Sequence, residues 1–229
     1  MTRGKKYKKV TKDLDRSLTY SVEDAIKAAK KLSYSSFVGT LEVHVDVKIP
    51  KDKDPKSIKG AVALPHSSST KSVKVAVFCT PDMEKEALDA GADLVGLDSL
   101  VKDVKAGKID FDVAIATPSV MPKIAVIGKE LGPKGLMPNP KNGTVTDDIA
   151  SAVGEYKKGK QTFACDTSGV IHFNAGKLDM EDEKLIENVH ACVVALEGVF
   201  GKSYMQVIQG MHLAPTMGPS FKVEYSKPE

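Results

Sequence analysis

TLEVHVDVKI, residues 40–49, alternates without a break. Leu41, Val43, Val45, Val47 and Ile49 fall on one side; Thr40, Glu42, His44, Asp46 and Lys48 fall on the other. A two-residue period sends successive side chains to opposite faces, so this is a strand with one face in a core. Its other face meets water or a partner. VKVAVF, residues 73–78, follows a different rule: it is nearly continuous apolar sequence. That pattern belongs to a strand covered on both faces, as in a parallel sheet. Between the two stretches lies PHSSST, residues 65–70, small and polar, which reads as a boundary or hinge. Two kinds of sheet in one chain of 229 residues predict two domains.

Upstream, Ser21 followed by Glu23 and Asp24 reads as a capped helix start, and Ala25, Ile26, Ala29 and Leu32 form its apolar stripe. Pro50–Pro55 is a charged loop, and Ile58–Leu64 a second strand. Downstream of Val73, apolar runs at 73–78, 93–97 and 113–116 alternate with helical stretches at 83–90, 98–106 and 124–131. Strands alternating with short helices predict a doubly covered parallel sheet. A further helix spans 147–158, with Asp147 and Asp148 at its positive end. After Gly159 the first style returns: a hairpin from strands 161–166 and 170–174, a long helix from Asp179, and strands 205–213 and 221–225. The expected fold is therefore α/β and α+β in two domains. Residues 1–67 and 160–229 form a split α+β domain from both termini; residues 68–159 form an inserted Rossmann-like parallel α/β domain.

LGPKGLMPNPKNGT, residues 131–144, is too rich in glycine and proline for helix or strand. Leu131, Leu136, Met137 and Val145 supply apolar anchors, so an ordered loop is expected. Its only charges, Lys134 and Lys141, suit an anionic neighbour.

Charge is distributed unevenly. Arg3, Lys5, Lys6, Lys8, Lys9 and Lys12 open the chain with no acid among them. The inserted segment has 12 basic and 13 acidic residues, against 21 and 17 in the remainder, so a polyanion fits the split domain better. Only Arg3 and Arg16 are arginine, so forked base readout is not the main device. No apolar leader follows the basic start, and no run approaches membrane-spanning length. The expectation is a cytoplasmic chain with no membrane partner.

Enzyme readings are weak. The first strand of the inserted segment ends in Cys79-Thr-Pro-Asp82, without the glycines of a dinucleotide fold. GVFGKS, residues 198–203, is two residues short of a phosphate loop. Cys79, at a strand end before a helix, is the candidate nucleophile of an alternative α/β enzyme with an interdomain site. Cys79, Cys165 and Cys192 form no metal or disulfide spacing, and the five histidines no ligand spacing. No cofactor or metal is expected.

The split domain offers a binding chemistry instead. Phe37, Thr40 and Glu42 begin the alternating strand; Ser168, Gly169 and His172 lie at the hairpin; Thr216, Met217 and Gly218 lie in a late loop. Small hydroxyl and glycine positions with an apolar plate suit RNA, recognised by shape, sugar hydroxyls and stacking. These same segments carry a resemblance. ELGPKGLMPNPKNGTV (130–145), SFVGTLEVHV (36–45), TSGVIH (167–172), FDVAIATPSVM (111–121) and PTMGPS (215–220) resemble the L-one family of ribosomal proteins, in its bacterial form. The resemblance covers essentially the whole chain. It implies the two-domain split layout and a non-enzymatic component of the large ribosomal subunit, monomeric when free. It implies binding of large-subunit rRNA at the mobile side stalk, with a stalk motion coupled to release of deacylated exit-site tRNA. It also implies repression of translation from the chain's own operon mRNA. Phe37, Thr40, Glu42, Thr216, Met217 and Gly218 match the family's RNA-contacting motifs. The family usually has serine where Gly210 stands and often a basic residue near Thr167.

Overall fold

The computed structural model describes residues 4–12, 14–15, 18–49, 54–66 and 73–226. The boundary stretch at 67–70 and most of the charged loop at 50–55 fall outside these residues. The basic arm is helical over Lys5–Val10 (α1), with its lysines exposed and Tyr7 and Val10 half-buried. Strand Thr19–Tyr20 (β1) precedes helix Val22–Leu32 (α2). The Ser21 hydroxyl caps α2, accepting the Asp24 N–H at 3.1 Å. The alternating stretch is strand Thr40–Val47 (β2), and Lys59–Ala63 is β3. Next come Val75–Phe78 (β4), Glu84–Asp89 (α3), Leu94–Val95 (β5), Asp98–Lys105 (α4) and Val113–Ala116 (β6). Single-turn helices Met121–Ile124 (α5) and Gly128–Leu131 (α6) lead to the glycine-proline loop, and Ile149–Lys157 (α7) follows it. The order ends with Lys160–Ala164 (β7), Val170–Lys177 (β8), Asp182–Phe200 (α8), Tyr204–Val207 (α9), Ile208–Pro215 (β9) and Phe221–Val223 (β10).

By contact the chain divides into two units, Met1–Ser69 with Thr162–Glu229, and Thr70–Gln161. Among the described residues the first unit holds a sheet in the order β1-β10-β9-β2-β8. Only β1 runs parallel to its neighbour. The interior strand β2, between β9 and β8, alternates buried and half-exposed along its whole length. Leu41, Val43, Val45 and Val47 meet α2 and α8 in one core with Ile26, Ala29, Leu185, Val189, Cys192 and Leu196. Burying a Leu, Ile or Val side chain contributes about 1.5–3 kcal/mol, so this face dominates the unit's stability. A bulge in β8 interrupts its pairing between Leu41 and Glu42 of β2. Asn188, fully buried on α8, fills the gap this leaves. Its amide donates to the carbonyls of Ala175 (2.6 Å) and His66 (3.0 Å) and accepts the His66 N–H at 3.0 Å.

The second unit is the parallel sheet β5-β4-β6. Every residue of β4 is buried. Ala76 and Phe78 face a core with Leu100, Val104, Ile124, Ile127 and Leu131. Val75 and Val77 face another with Ala87, Ile149, Val153 and Tyr156. The architecture is thus the expected α/β and α+β pair, with a Rossmann-like parallel sheet covered on both faces. The loop at 131–144 is ordered by its own polar groups. Thr144 Oγ1 accepts the Asn139 N–H at 2.7 Å, and the Tyr156 hydroxyl donates to the Asn142 carbonyl at 2.7 Å. Leu131 and Pro138 are buried, and Leu136 and Met137 pack on the core. Gly143 takes φ +67°, which favours glycine, before Val145 bridges Ala116 in parallel.

Several local expectations are corrected. β2 stops at Val47, two residues early. The segment at 124–131 is two separate turns of α-helix joined through Ala125–Ile127, with helical backbone already from Pro118. Pro118 and Pro122 sit in the first turns of their short helices, where the missing N–H is tolerated. α8 begins at Asp182, not Asp179, and Tyr204–Val207 is helical before β9 starts at Ile208. The supposed hairpin is a tight turn whose strands part: β7 pairs with β3, β8 with β2, and only Cys165 and Ile171 bridge. Local turn chemistry marked the reversal but not the ladder partner.

Asn188→Ala leaves the Ala175 carbonyl and both His66 backbone groups without their partner. We expect a loss of about 3 kcal/mol, read as a lower urea midpoint. An unchanged midpoint would mean that water replaces the amide.

Candidate nucleic-acid interface

The loop after α2 and the loop after β9 converge on the first residue of β2. Thr216 makes the junction. Its hydroxyl accepts the Thr40 N–H at 2.9 Å, its own N–H donates to the Thr40 carbonyl at 3.0 Å, and Glu42 Oε1 lies 3.5 Å from the hydroxyl. Next to it the Tyr34 N–H donates to the Met217 carbonyl at 3.2 Å. Lys177 Nζ donates to Thr40 Oγ1 at 3.1 Å, bringing a cation to the junction. Two glycines permit this approach. A Cβ on Gly39 would lie 3.1 Å from Leu178 Cδ1, and one on Gly218 would lie 2.5 Å from Pro215 Cγ and 3.3 Å from the Leu32 carbonyl oxygen. Phe37, 58% exposed, and Met217, 39% exposed, stand out as apolar plates beside these polar groups. The basic helix α1 joins them: the Tyr7 ring meets Tyr34 edge-on at 6.4 Å, with Lys5, Lys6, Lys8 and Lys9 on its exposed surface.

Six of the nine residues expected from sequence therefore form one patch: Phe37, Thr40, Glu42, Thr216, Met217 and Gly218. Ser168 and Gly169 do not join them. The Gly169 carbonyl accepts the Val47 N–H at 3.0 Å, placing this turn at the far end of β2. Seven residues of strand separate the ends by about 23 Å. Asp166 holds the turn, accepting the Ser168 and Val170 N–H groups, each at 2.8 Å. The Val170 N–H, followed by that of Ser168, keeps its carboxyl below the usual range despite some burial. His172 lies between the two ends, directly opposite His44. The ninefold set is one strip along the polar side of the sheet rather than one pocket. Sequence reasoning missed Tyr34, Lys177, His212 and the helical form of the lysine arm. His212 was readable from alternation, since Met211 and Leu213 flank it and both are buried.

The rival site at Cys79 fails on chemistry. Cys79 is buried, and burial, followed by the Glu84 carboxylate, raises its thiol above the ordinary value; the Gly96 N–H only partly offsets this. Burial first and Asp166 second also raise Cys165, and burial pushes Cys192 up to about 12. The helix N-terminus after β4 does not activate Cys79. Among the described residues no group of three His, Cys, Asp or Glu side chains converges as a metal site, and no helix is long and apolar enough to cross a membrane. At pH 8 we expect a thiol-specific dye to label none of the three cysteines in the native protein and all three in denaturant. Rapid native labelling at Cys79 would reopen the nucleophile reading.

A profile of the ribosomal protein L1p/L10e family matches residues 8–219. The large ribosomal subunit protein uL1 of Treponema denticola is 41% identical over 226 residues, 98% of each chain. That of Thermosipho africanus is 43% identical over 227 residues, 96% of each, and that of Dehalococcoides mccartyi 42% over 231 residues, 98% of this chain and 95% of its own. With a profile match across nearly its whole length and relatives above 40% identity end to end, the chain belongs to the ribosomal protein L1p/L10e family, whose members are structural ribosomal proteins and not enzymes.

Proposed function

We propose that the chain is a component of the large ribosomal subunit that binds large-subunit rRNA at the mobile side stalk. The split unit, Met1–Ser69 with Thr162–Glu229, is its RNA-binding part. The observation that carries this reading is the Thr216–Thr40 junction. It orders backbone groups, hydroxyls and two exposed apolar plates into one rigid patch beside a lysine helix. Recognition of RNA asks for that combination: electrostatic attraction to phosphate, close backbone approach to sugar hydroxyls, and stacking. The relatives are named as large-subunit proteins, which supports the ribosome as partner and a ribosome-bound place in the cytoplasm.

Two finer roles are part of the same proposal. Repression of the chain's own operon mRNA needs only a messenger fold that presents the stalk's shape; one patch then holds either RNA and not both. Release of deacylated tRNA from the exit site would use the chain as a part carried by the moving stalk. Gly210 in place of the family's usual serine removes one hydroxyl from the strip, and the basic residue the family often has near Thr167 is missing.

Binding to a stalk rRNA fragment, titrated with salt, tests the reading. We expect a complex retained at moderate salt and weakened about tenfold or more, some 1.4 kcal/mol, by Thr216→Val, Met217→Ala or Gly218→Ala. Gly218→Ala removes no contact atom; it acts by pushing the loop away from Pro215. Weak binding that vanishes with salt and ignores all three variants would leave only the lysine helix at work.

A further inference from the structure

The polar side of the five-stranded sheet carries one transverse row of proton-accepting and cationic side chains. Register sets His172 of β8 opposite His44 of β2, His44 opposite His212 of β9, and His212 opposite Lys222 of β10. All four point away from the core and none is buried. His44 and His172 meet edge to face with ring centroids 4.9 Å apart and Nδ1 to Nδ1 at 2.7 Å. One nitrogen donates and the other accepts, so the contact as found excludes two imidazolium rings. Their outer nitrogens look toward carboxylates. His44 Nε2 lies 3.7 Å from Glu42 Oε2, and His172 Nε2 lies 4.0 Å from Asp166 Oδ2.

His44 is thus faced by Glu42 and Asp46 from its own strand, by His172 from one neighbour and by His212 from the other. Burial first, then His172, holds it below the ordinary histidine value, while Glu42 and Asp46 pull the other way. At neutral pH His44 is uncharged, and the middle of β2 presents two carboxylates, Glu42 and Asp46. That is a poor centre for a surface that holds a polyanion. Protons taken up by the row cancel those charges.

We infer that His172, His44, His212 and Lys222 form a proton-gated phosphodiester contact across the RNA face, engaged when bound RNA draws a further proton onto the row. The inference rests on the RNA reading of this face. A phosphodiester beside the rings favours imidazolium, and linkage then requires that acidification tighten RNA binding. In the contact as found, a second imidazolium would face the first at hydrogen-bond distance, so an anion between or beside the rings is what a doubly charged pair needs.

The test titrates the wild-type chain with the stalk rRNA fragment between pH 7.5 and 5.5 at fixed salt, following the imidazole Cε1–H resonances free and bound. We expect affinity to rise toward pH 5.5, with at least one of the three rings titrating about one pH unit higher in the complex, equivalent to about a tenfold gain. We expect the double variant His44→Gln with His172→Gln to flatten this pH dependence, whatever its affinity at pH 7.5. Flat affinity, or rings that titrate identically with and without RNA, overturns the row and leaves the RNA reading standing. Failure to bind the fragment at any pH overturns that reading and the row with it. Inorganic phosphate alone, if it displaces the ring titrations as far as the RNA does, overturns the assignment to an RNA strand.

Discussion

The two-residue period of β2 is the constraint on which the first unit depends. Its four apolar side chains are committed to α2 and α8, so its four polar ones are committed to the opposite face. A slip of one residue would exchange the two sets and place Glu42, His44 and Asp46 in the core, at prohibitive cost. Because β2 lies between β8 and β9, its register also sets theirs. The placement of His172 and His212 beside His44 is therefore a by-product of core packing.

The interface uses that rigidity at one end. Thr40 is the first residue of β2, at the end where two loops meet, and Thr216 ties them there through backbone and side chain together. Glycine at 218 lets the second loop pack against Pro215 and the end of α2, leaving Met217 outward. A surface built this way is ordered before any ligand arrives, so binding loses less conformational entropy than a pair of free loops would.

The second unit makes a different use of its loop. LGPKGLMPNPKNGT closes on itself through Asn139, Thr144 and Tyr156, and returns the chain to the sheet at Ala116 and Val145. Burial raises the Tyr156 hydroxyl well above the ordinary tyrosine value, keeping it the neutral donor that the Asn142 carbonyl needs. Lys134 and Lys141 are exposed on this frame. Cys79 illustrates the opposite lesson: a position at a strand end before a helix start looks reactive in sequence, yet its side chain is packed into the core.

Local pattern alone determined much of this protein. The alternation of β2, the buried run of β4, the Ser21 cap and the stripe of α2 are all properties of neighbouring residues, and a chain obeys them wherever it folds. The family motifs, including the six residues of the patch, were equally legible. Sequence paired the two termini in one domain, but it left open which residues of distant segments meet. Nothing local says that Thr216 meets Thr40, that β7 and β8 join different sheets after one tight turn, or that three histidines share a row. Those relations follow from register and helix packing, which satisfy all faces of the core at once, so only the tertiary structure decided them.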